Sequence, residues 1–375
     1  MSVADPRVEE LIELAEASLA LGDAAAALHL LDQVQEGHRD NRWAATHVEA
    51  LRIRGDFDAF YELATASLEL MIDEADWGNA RRVLLECARM FDAQAKDLEC
   101  INFLHALACR IRSVLHVDAF FEVQLVAMLA SRVASEGDLA TATRLLSTVD
   151  SKLNEVSDRR ARASLHWAQS EIDEYSGNVD RAFDSMYQVL LSYVEEDDPL
   201  AIQRIALRLG VLASGYLGVS RQKLLIAKEL LAAELVRQLG AHKTQTSMLL
   251  SLRFASCDLA LGNTSSTLSV LDDLQVDFTQ PASTFDRSKM LYGHSEILYA
   301  LCNLELGNLE NVPNHLTAAR AIYEPLAGSE WPNSALRKIA SAYTRLGDVT
   351  TAVELYSQAS MPTGDFSWCL ASFSV

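Results

Sequence analysis

A short phrase recurs along this chain of 375 residues: Gly22-Asp23 with Ala27, Gly137-Asp138 with Ala142, Gly177-Asn178 with Ala182, and Gly347-Asp348 with Ala352. Each instance is a helix stop, a turn and an alanine five residues past the glycine. Weaker copies begin at Gly55-Asp56, Gly262-Asn263 and Gly307-Asn308, so an internal repeat of helical hairpins runs almost end to end. That repetition predicts an all-α array.

The aligned glycines are Gly22, Gly55, Gly137, Gly177, Gly218, Gly262, Gly307 and Gly347, and a degenerate turn at Gln94 to Asp97 fills the one wide gap. After a shorter first step the period is about 40 residues, room for two helices of roughly 16 residues and two short turns. Glycine supplies the positive φ that ends the first helix, and the Asp or Asn after it caps the second. The alanine is small because the two helices cross closely there, where a larger side chain would overpack by about 1 to 3 kcal/mol. Thr267 and Val312 replace it after Gly262 and Gly307, which predicts slight splaying or repacking in those hairpins. Pro6 after Asp5 and Pro199 after Asp198 are helix-start signals. Val276 to Thr284 and Glu324 to Asn333 read as irregular turns. The expected organisation is one solenoid over residues 1–362, in about eight hairpins, with a capping tail over 363–375 that carries Phe366, Trp368, Leu370 and Phe373.

Half the residues are apolar, yet no apolar run approaches the ~20 residues of a bilayer span. Asp5, Glu9, Glu10 and Glu13 stand where a secretory leader needs positive charge, so a cytoplasmic protein without membrane partners is expected. A net charge of −20 opposes direct binding of nucleic acid or anionic lipid. The six cysteines (Cys87, Cys100, Cys109, Cys257, Cys302 and Cys369) are irregularly spaced and read as reduced core residues. No H-E-x-x-H, G-x-S-x-G, G-x-G-x-x-G, P-loop or paired-cysteine motif occurs. Neither a catalytic residue nor a cofactor is therefore assigned. His105 and Cys109 share a helical face as metal ligands would, but Ile101, Leu104, Leu107, Ala108 and Ile111 around them favour core packing, and no metal is assigned. Trp43, Trp77 and Trp331 sit near helix starts and are expected to pack between repeats.

The residues Leu336, Ile339, Ala340, Tyr343, Gly347, Ala352, Tyr356 and Ala359 fit the signature of the tetratricopeptide repeat, as do Leu11, Leu14, Ala15, Gly22, Ala27, Leu31 and Val34. The chain resembles that family over roughly residues 5 to 361, with units about six residues longer than the family's usual repeat. Long units of this kind are similar to the solenoids of bacterial regulators of the maltose-regulator type and of the Rap and PlcR type. The resemblance implies a right-handed α-α superhelix whose concave groove takes a peptide, protein segment or small ligand. No helix-turn-helix flanks the repeats, so a self-contained DNA-binding regulator is not expected.

In such stacked hairpins the positions about ten, six and three before each glycine point into the groove. They are Glu16, Glu49, Arg52, Ser131, Trp167, Glu171, Glu174, Arg208, Ser256, Arg337, Ser341 and Thr344. Arg159, Arg160 and Arg162 lead one helix, and Arg204 and Arg208 lie four apart on the equivalent helix of the next unit. They form either an anion-binding patch beside Trp167 or a solvated face paired with Asp158 and Glu195 to Asp198. The candidate binding residues are Trp167, Glu171, Arg204, Arg208, Arg337 and Ser341. The expected function is a non-enzymatic adaptor or regulatory subunit that binds a protein or peptide. The alternative is a sensing module for a peptide or small-molecule signal, acting through a partner. An enzyme with a site between helices is the remote third reading, and the oligomeric state is open.

Overall fold

The computed structural model describes residues 6–94, 96–149, 152, 158–195, 198–215, 219–238, 245–278, 286–326 and 330–359. They form two compact units, divided between Ala168 and Gln169. The first holds α1 (Pro6–Ala20), α2 (Ala24–Asp32), α3 (Asn41–Arg54), α4 (Phe57–Asp73), α5 (Trp77–Gln94), α6 (Asp97–Ile111), α7 (Ala119–Ser135), α8 (Leu139–Ser147) and the start of α9 (Arg159–Tyr175). The second continues through α10 (Val179–Val194), α11 (Pro199–Gly215), α12 (Arg221–Arg237), α13 (Gln245–Ala260), α14 (Thr264–Phe278), α15 (Asp286–Leu306), α16 (Val312–Tyr323), α17 (Glu330–Leu346) and α18 (Val349–Gln358). No strand interrupts the described residues, and none of their helices is long and apolar enough to cross a membrane.

The eighteen helices make nine consecutive pairs among the described residues, one more than the eight glycines predict. The extra pair, α5 and α6, turns at the glycine-free stretch around Lys96. In each unit a helix packs on its neighbours in sequence. The main second-neighbour contacts run between odd-numbered helices: α1, α3, α5 and α7 in the first unit, and α11, α13, α15 and α17 in the second. The odd-numbered helices therefore form a layer of their own in each unit, the packing of an all-α solenoid.

The local chemistry of the turns is as the repeat demands. At Gly347 the backbone takes φ +85°, and the next N–H, that of Asp348, bonds back to the carbonyl of Tyr343 at 3.0 Å, which closes the end of α17. Asp348 then accepts the N–H of Thr351 at 3.1 Å and starts α18. Asp23, Asp56 and Asp138 cap in the same way, and Asp198 caps α11 ahead of Pro199 through the N–H of Ala201 at 3.0 Å. The residue five past the glycine is buried in every described hairpin that has one, whatever its size: Ala27, Phe60, Ala142, Ala182, Thr267, Val312 and Ala352. The crossing there is close. Ser170 of α9 donates to the carbonyl of Ala182 on α10 at 2.8 Å. Thr267 of α14 donates to the carbonyl of Ala255 on α13 at 3.2 Å, so its hydroxyl is satisfied inside the contact.

A second close contact, between α15 and α16, rests on a glycine. Opposite α16, which carries Val312, Gly293 lies in the middle of α15, and a Cβ there would come within 2.8 Å of the Tyr323 ring. Tyr323 is fully buried and donates its hydroxyl to the carbonyl of Met290 at 2.6 Å. The core of this end of the second unit runs through Ile297, Leu316, Leu336, Ile339 and Leu355; an adjoining cluster holds Leu252, Leu271, Leu291 and Leu298.

Several expectations need correction. α14 runs helically to Phe278, and α17 begins at Glu330 after a short 3-10 turn, Glu324–Leu326, so both irregular joints are shorter than the proline spacing suggests. Pro332 falls in the first turn of α17, where a backbone N–H has no intrahelical partner to lose. Cys87, Cys100, Cys257 and Cys302 are buried thiols, but Cys109 is exposed. Trp43 packs between hairpins, its indole donating to the carbonyl of Leu31 at 3.1 Å, and the Trp77 ring lies 5.3 Å from that of Phe121. The turn at Gly218, the Trp331 side chain, Cys369 and the tail 363–375 lie outside the described residues.

One turn takes the left-handed conformation without a glycine. Between α4 and α5, Ala75 takes φ +56°, a left-handed conformation that costs a side-chain-bearing residue about 1–2 kcal/mol. Ala75→Gly is expected to stabilise the protein by about 1 kcal/mol after the greater freedom of glycine in the unfolded chain is counted. Gly293→Ala should destabilise it by about 1–3 kcal/mol through the clash with Tyr323. Urea-denaturation midpoints measure both.

Candidate functional site

In both units the charged side chains of the odd-numbered layer meet across consecutive helices. In the first unit they close on one another. Glu16 of α1 accepts Arg42 of α3 at 2.7 Å, Arg82 of α5 at 2.9 Å and the hydroxyl of Thr46 at 3.2 Å. Arg82 also reaches Glu49 of α3 at 2.9 Å, and the buried Glu86 of α5 is held between Arg52 and Arg89. Burial opposes ionisation of Glu16, but hydrogen bonds from Arg42 and Arg82 outweigh it and hold the carboxyl at about 2. The predicted groove residues Glu16, Glu49 and Arg52 are thus brought into one ladder, together with Arg42, Arg82, Glu86 and Arg89.

The second unit differs. Here Arg208 of α11 pairs with the buried Glu174 of α9. On the next helices a group of bases converges. Arg253 and Ser256 lie one turn apart on α13, and both approach the Nε2 atom of His294 on α15, at 3.5 and 3.2 Å. An arginine only donates, so in the Arg253 contact a neutral His294 is the acceptor. Lys338 of α17 completes the group within electrostatic range of Arg253 and His294. Burial and the neighbouring Arg253 pull Lys338 down to about 7. Burial lowers Arg253 to about 10, with Arg208 adding to the effect. Burial, Arg253 and Lys338 together hold the imidazole of His294 well below its ordinary value. Packing puts Arg253 there: Gly210 of α11 has no side chain, and a Cβ at that position would lie 2.9 Å from Leu231 and 3.5 Å from the Arg253 Cβ.

The other predicted site residues are placed as follows. Trp167 and Glu171 are partly exposed on α9, Arg204 is exposed on α11, and Ser341 and Thr344 are exposed on α17. Ser131 is partly buried on α7. Arg337 is turned to the end of α18, where it donates to the carbonyl of Ala359 at 3.1 Å. Arg159, Arg160 and Arg162 are exposed on the first turns of α9, in the first unit, and the Asp158 carboxylate accepts the backbone N–H of Arg160 at 2.8 Å. Arg208 pairs with the Glu174 carboxylate of α9.

Residues that sequence reasoning passed over share a register. Arg42 and His294 lie thirteen residues before Gly55 and Gly307, and Arg253 and Lys338 nine before Gly262 and Gly347. The positions at thirteen lie one turn nearer the helix start than the predicted groove positions, and those at nine fall one residue inside the outermost of them. A search of these helices for charge at interior positions finds them.

His105 and Cys109 touch, Nε2 to Sγ at 3.7 Å, but among the described residues no three His, Cys, Asp or Glu side chains group as metal ligands. No protein-family model matches the chain, and no curated protein sequence matches it significantly.

The Glu16 ladder makes a pH-dependent contribution. Its folded carboxyl titrates below the unfolded one, so the stabilisation is complete above about pH 5 and is lost as pH falls toward 2. Because these side chains keep about a third of their exposure, solvent screening limits the effect to about 1–2 kcal/mol. Glu16→Gln should cost that much at pH 7, and the gap from the parent protein should close between pH 5 and 2 in denaturation curves.

Proposed function

We propose that this chain is a non-enzymatic binding scaffold, an adaptor or regulatory subunit that takes a protein or peptide segment on the odd-numbered helices. The observation that supports this reading is the layer itself. Consecutive odd-numbered helices carry charged and polar side chains in register, and Arg204 and Ser341 stand exposed on that layer in the second unit. A face built from packed helices is ordered before its partner arrives, so association costs little conformational entropy. The resemblance to long-unit tetratricopeptide solenoids supports the same reading, as does the strong acidity, which favours protein over nucleic-acid partners.

A second reading is favoured by the Arg253–His294–Lys338 group. Bases gathered from three helices favour an anionic small molecule or peptide end as the occupant. On this reading the chain senses a ligand and passes the change to a partner that carries the effector.

The scaffold reading is tested by affinity capture with the full chain. Arg204→Glu combined with Ser341→Lys, on α11 and α17, should reduce the amount of retained partner at least tenfold. Glu354→Lys on α18 should leave it unchanged. Equal loss from both variants, or loss from neither, overturns the assignment to the odd-numbered layer.

A further inference from the structure

The hairpins share a register, and α18 departs from it in exposure. Two, six and nine residues past Gly177 stand Val179, Phe183 and Met186, and at the same offsets past Gly22 stand Ala24, Leu28 and Leu31; all six are buried. The next hairpin lies against this face. Lys223 of α12 sits 5.7 Å from the centre of the Phe183 ring, and the Trp43 indole of α3 bonds to the Leu31 carbonyl. Past Gly347 the equivalent residues are Val349, Val353 and Tyr356 of α18, and they are 60, 62 and 45 % exposed. Among the described residues α18 packs chiefly on α17. Its outward side therefore keeps the apolar residues of a stacking face without the hairpin that covers that face in α2 and α10.

We infer that this face of α18 pairs with the same face of a second copy of the chain, across a two-fold axis near Val353. Charge selects the occupant. Each copy carries a net charge of −20, so two copies can approach closely only where charge is sparse. α18 holds a single charged residue, Glu354, in its ten residues, and Thr350 and Ser357 add exposed uncharged side chains. A head-to-tail contact fits worse, because α1 exposes Glu9, Glu10 and Glu13, whose carboxylates would lose water against valine. An isologous contact instead sets Val349 and Val353 of one copy against the same apolar face of the other. Val353 stands at the middle of Val349–Gln358, so an antiparallel pairing places it opposite itself. Two helices of this length bury less than the ~1,200 Å² from which stable interfaces begin, which corresponds to a weak dimer with a dissociation constant in the micromolar range. The contact uses an even-numbered helix, so it goes beyond the scaffold reading and leaves the odd-numbered layer of each copy to its partner.

Sedimentation equilibrium of the full chain across the micromolar range should show a reversible monomer–dimer equilibrium. Val353→Lys, which sets like charges against each other at the axis, should raise the dissociation constant at least tenfold. Val236→Lys, at a similarly exposed valine of α12, should leave it unchanged. Both sites are exposed, and circular dichroism checks that each variant is folded. A parent chain that stays monomeric overturns the inference, as does unchanged dimerisation in Val353→Lys or equal weakening in Val236→Lys. A cross-link tests the orientation: Val353→Cys, in a chain that also carries Cys109→Ser to remove the exposed native thiol, is oxidised with copper–phenanthroline in air. A disulfide-linked dimer is expected, absent when Val353 is left in place. Failure of the introduced thiol to link copies that do dimerise overturns the two-fold pairing. Its closure onto Cys369 of the same chain, read from the peptide masses, overturns the inference in favour of the C-terminal segment as the cover of α18.

Discussion

The close crossing inside each helical hairpin is the constraint on which the rest of the structure depends. At that point two backbones approach until a hydroxyl on one helix reaches a carbonyl on the other, from Ser170 to Ala182 and from Thr267 to Ala255. The side chain five residues after the turn is buried in each described hairpin, and it is small at four of the seven, Ala27, Ala142, Ala182 and Ala352. The approach also requires a turn tight enough to reverse the chain in two or three residues, which a left-handed glycine and a capping carboxylate supply. With the crossing set, the outer faces of each pair are free to stack on the next pair. The separation of odd-numbered helices into one layer follows from that stacking.

Electrostatics give the layer a different character in each unit. In the first, Glu16, Glu49 and Glu86 meet Arg42, Arg52, Arg82 and Arg89, and each buried or half-buried carboxylate finds a guanidinium on the next helix. Such a ladder contributes modest stability, since its members remain partly solvated, but it leaves little charge to attract a ligand. In the second, the pairing of Arg208 with Glu174 is followed by Arg253, His294 and Lys338. Bringing bases together in a low-dielectric setting lowers each one's affinity for its proton, which is why Lys338 falls to about 7.

Much of the fold was legible from residues alone because its signals are local. The glycine stops, the Asp caps, Pro199 at the start of α11 and the buried position after each turn all act within a few residues of one another. Where the local signal was weak, the reading slipped. Ala75 adopts a conformation that its residue type does not announce, and Cys109 sits on an exposed face of an otherwise apolar helix. The candidate site was only half legible. Glu16, Glu49, Arg52 and Ser256 were placed on the odd-numbered layer, whereas Arg42 and His294 lie one turn beyond the outermost position considered, Lys338 falls between two of those positions, and Arg82 belongs to a hairpin with no glycine to count from. Arg337, one residue away from Lys338, is rotated by about 100° on the helix and caps α18 instead.

By itself the sequence determined the hairpin, its period and its all-α character, since backbone conformation at a turn and apolar periodicity along a helix are properties of neighbouring residues. Only the tertiary structure decided which charges meet. Arg253 and Lys338 are 85 positions apart in the chain and His294 lies between them, and no local rule relates the three. Their approach is set by how consecutive hairpins stack, through the absent side chains of Gly210 and Gly293 and the packing of α13, α15 and α17. Electrostatic energy depends on distance in space rather than along the chain, so the ladder of one unit and the basic group of the other emerge only once the helices are assembled.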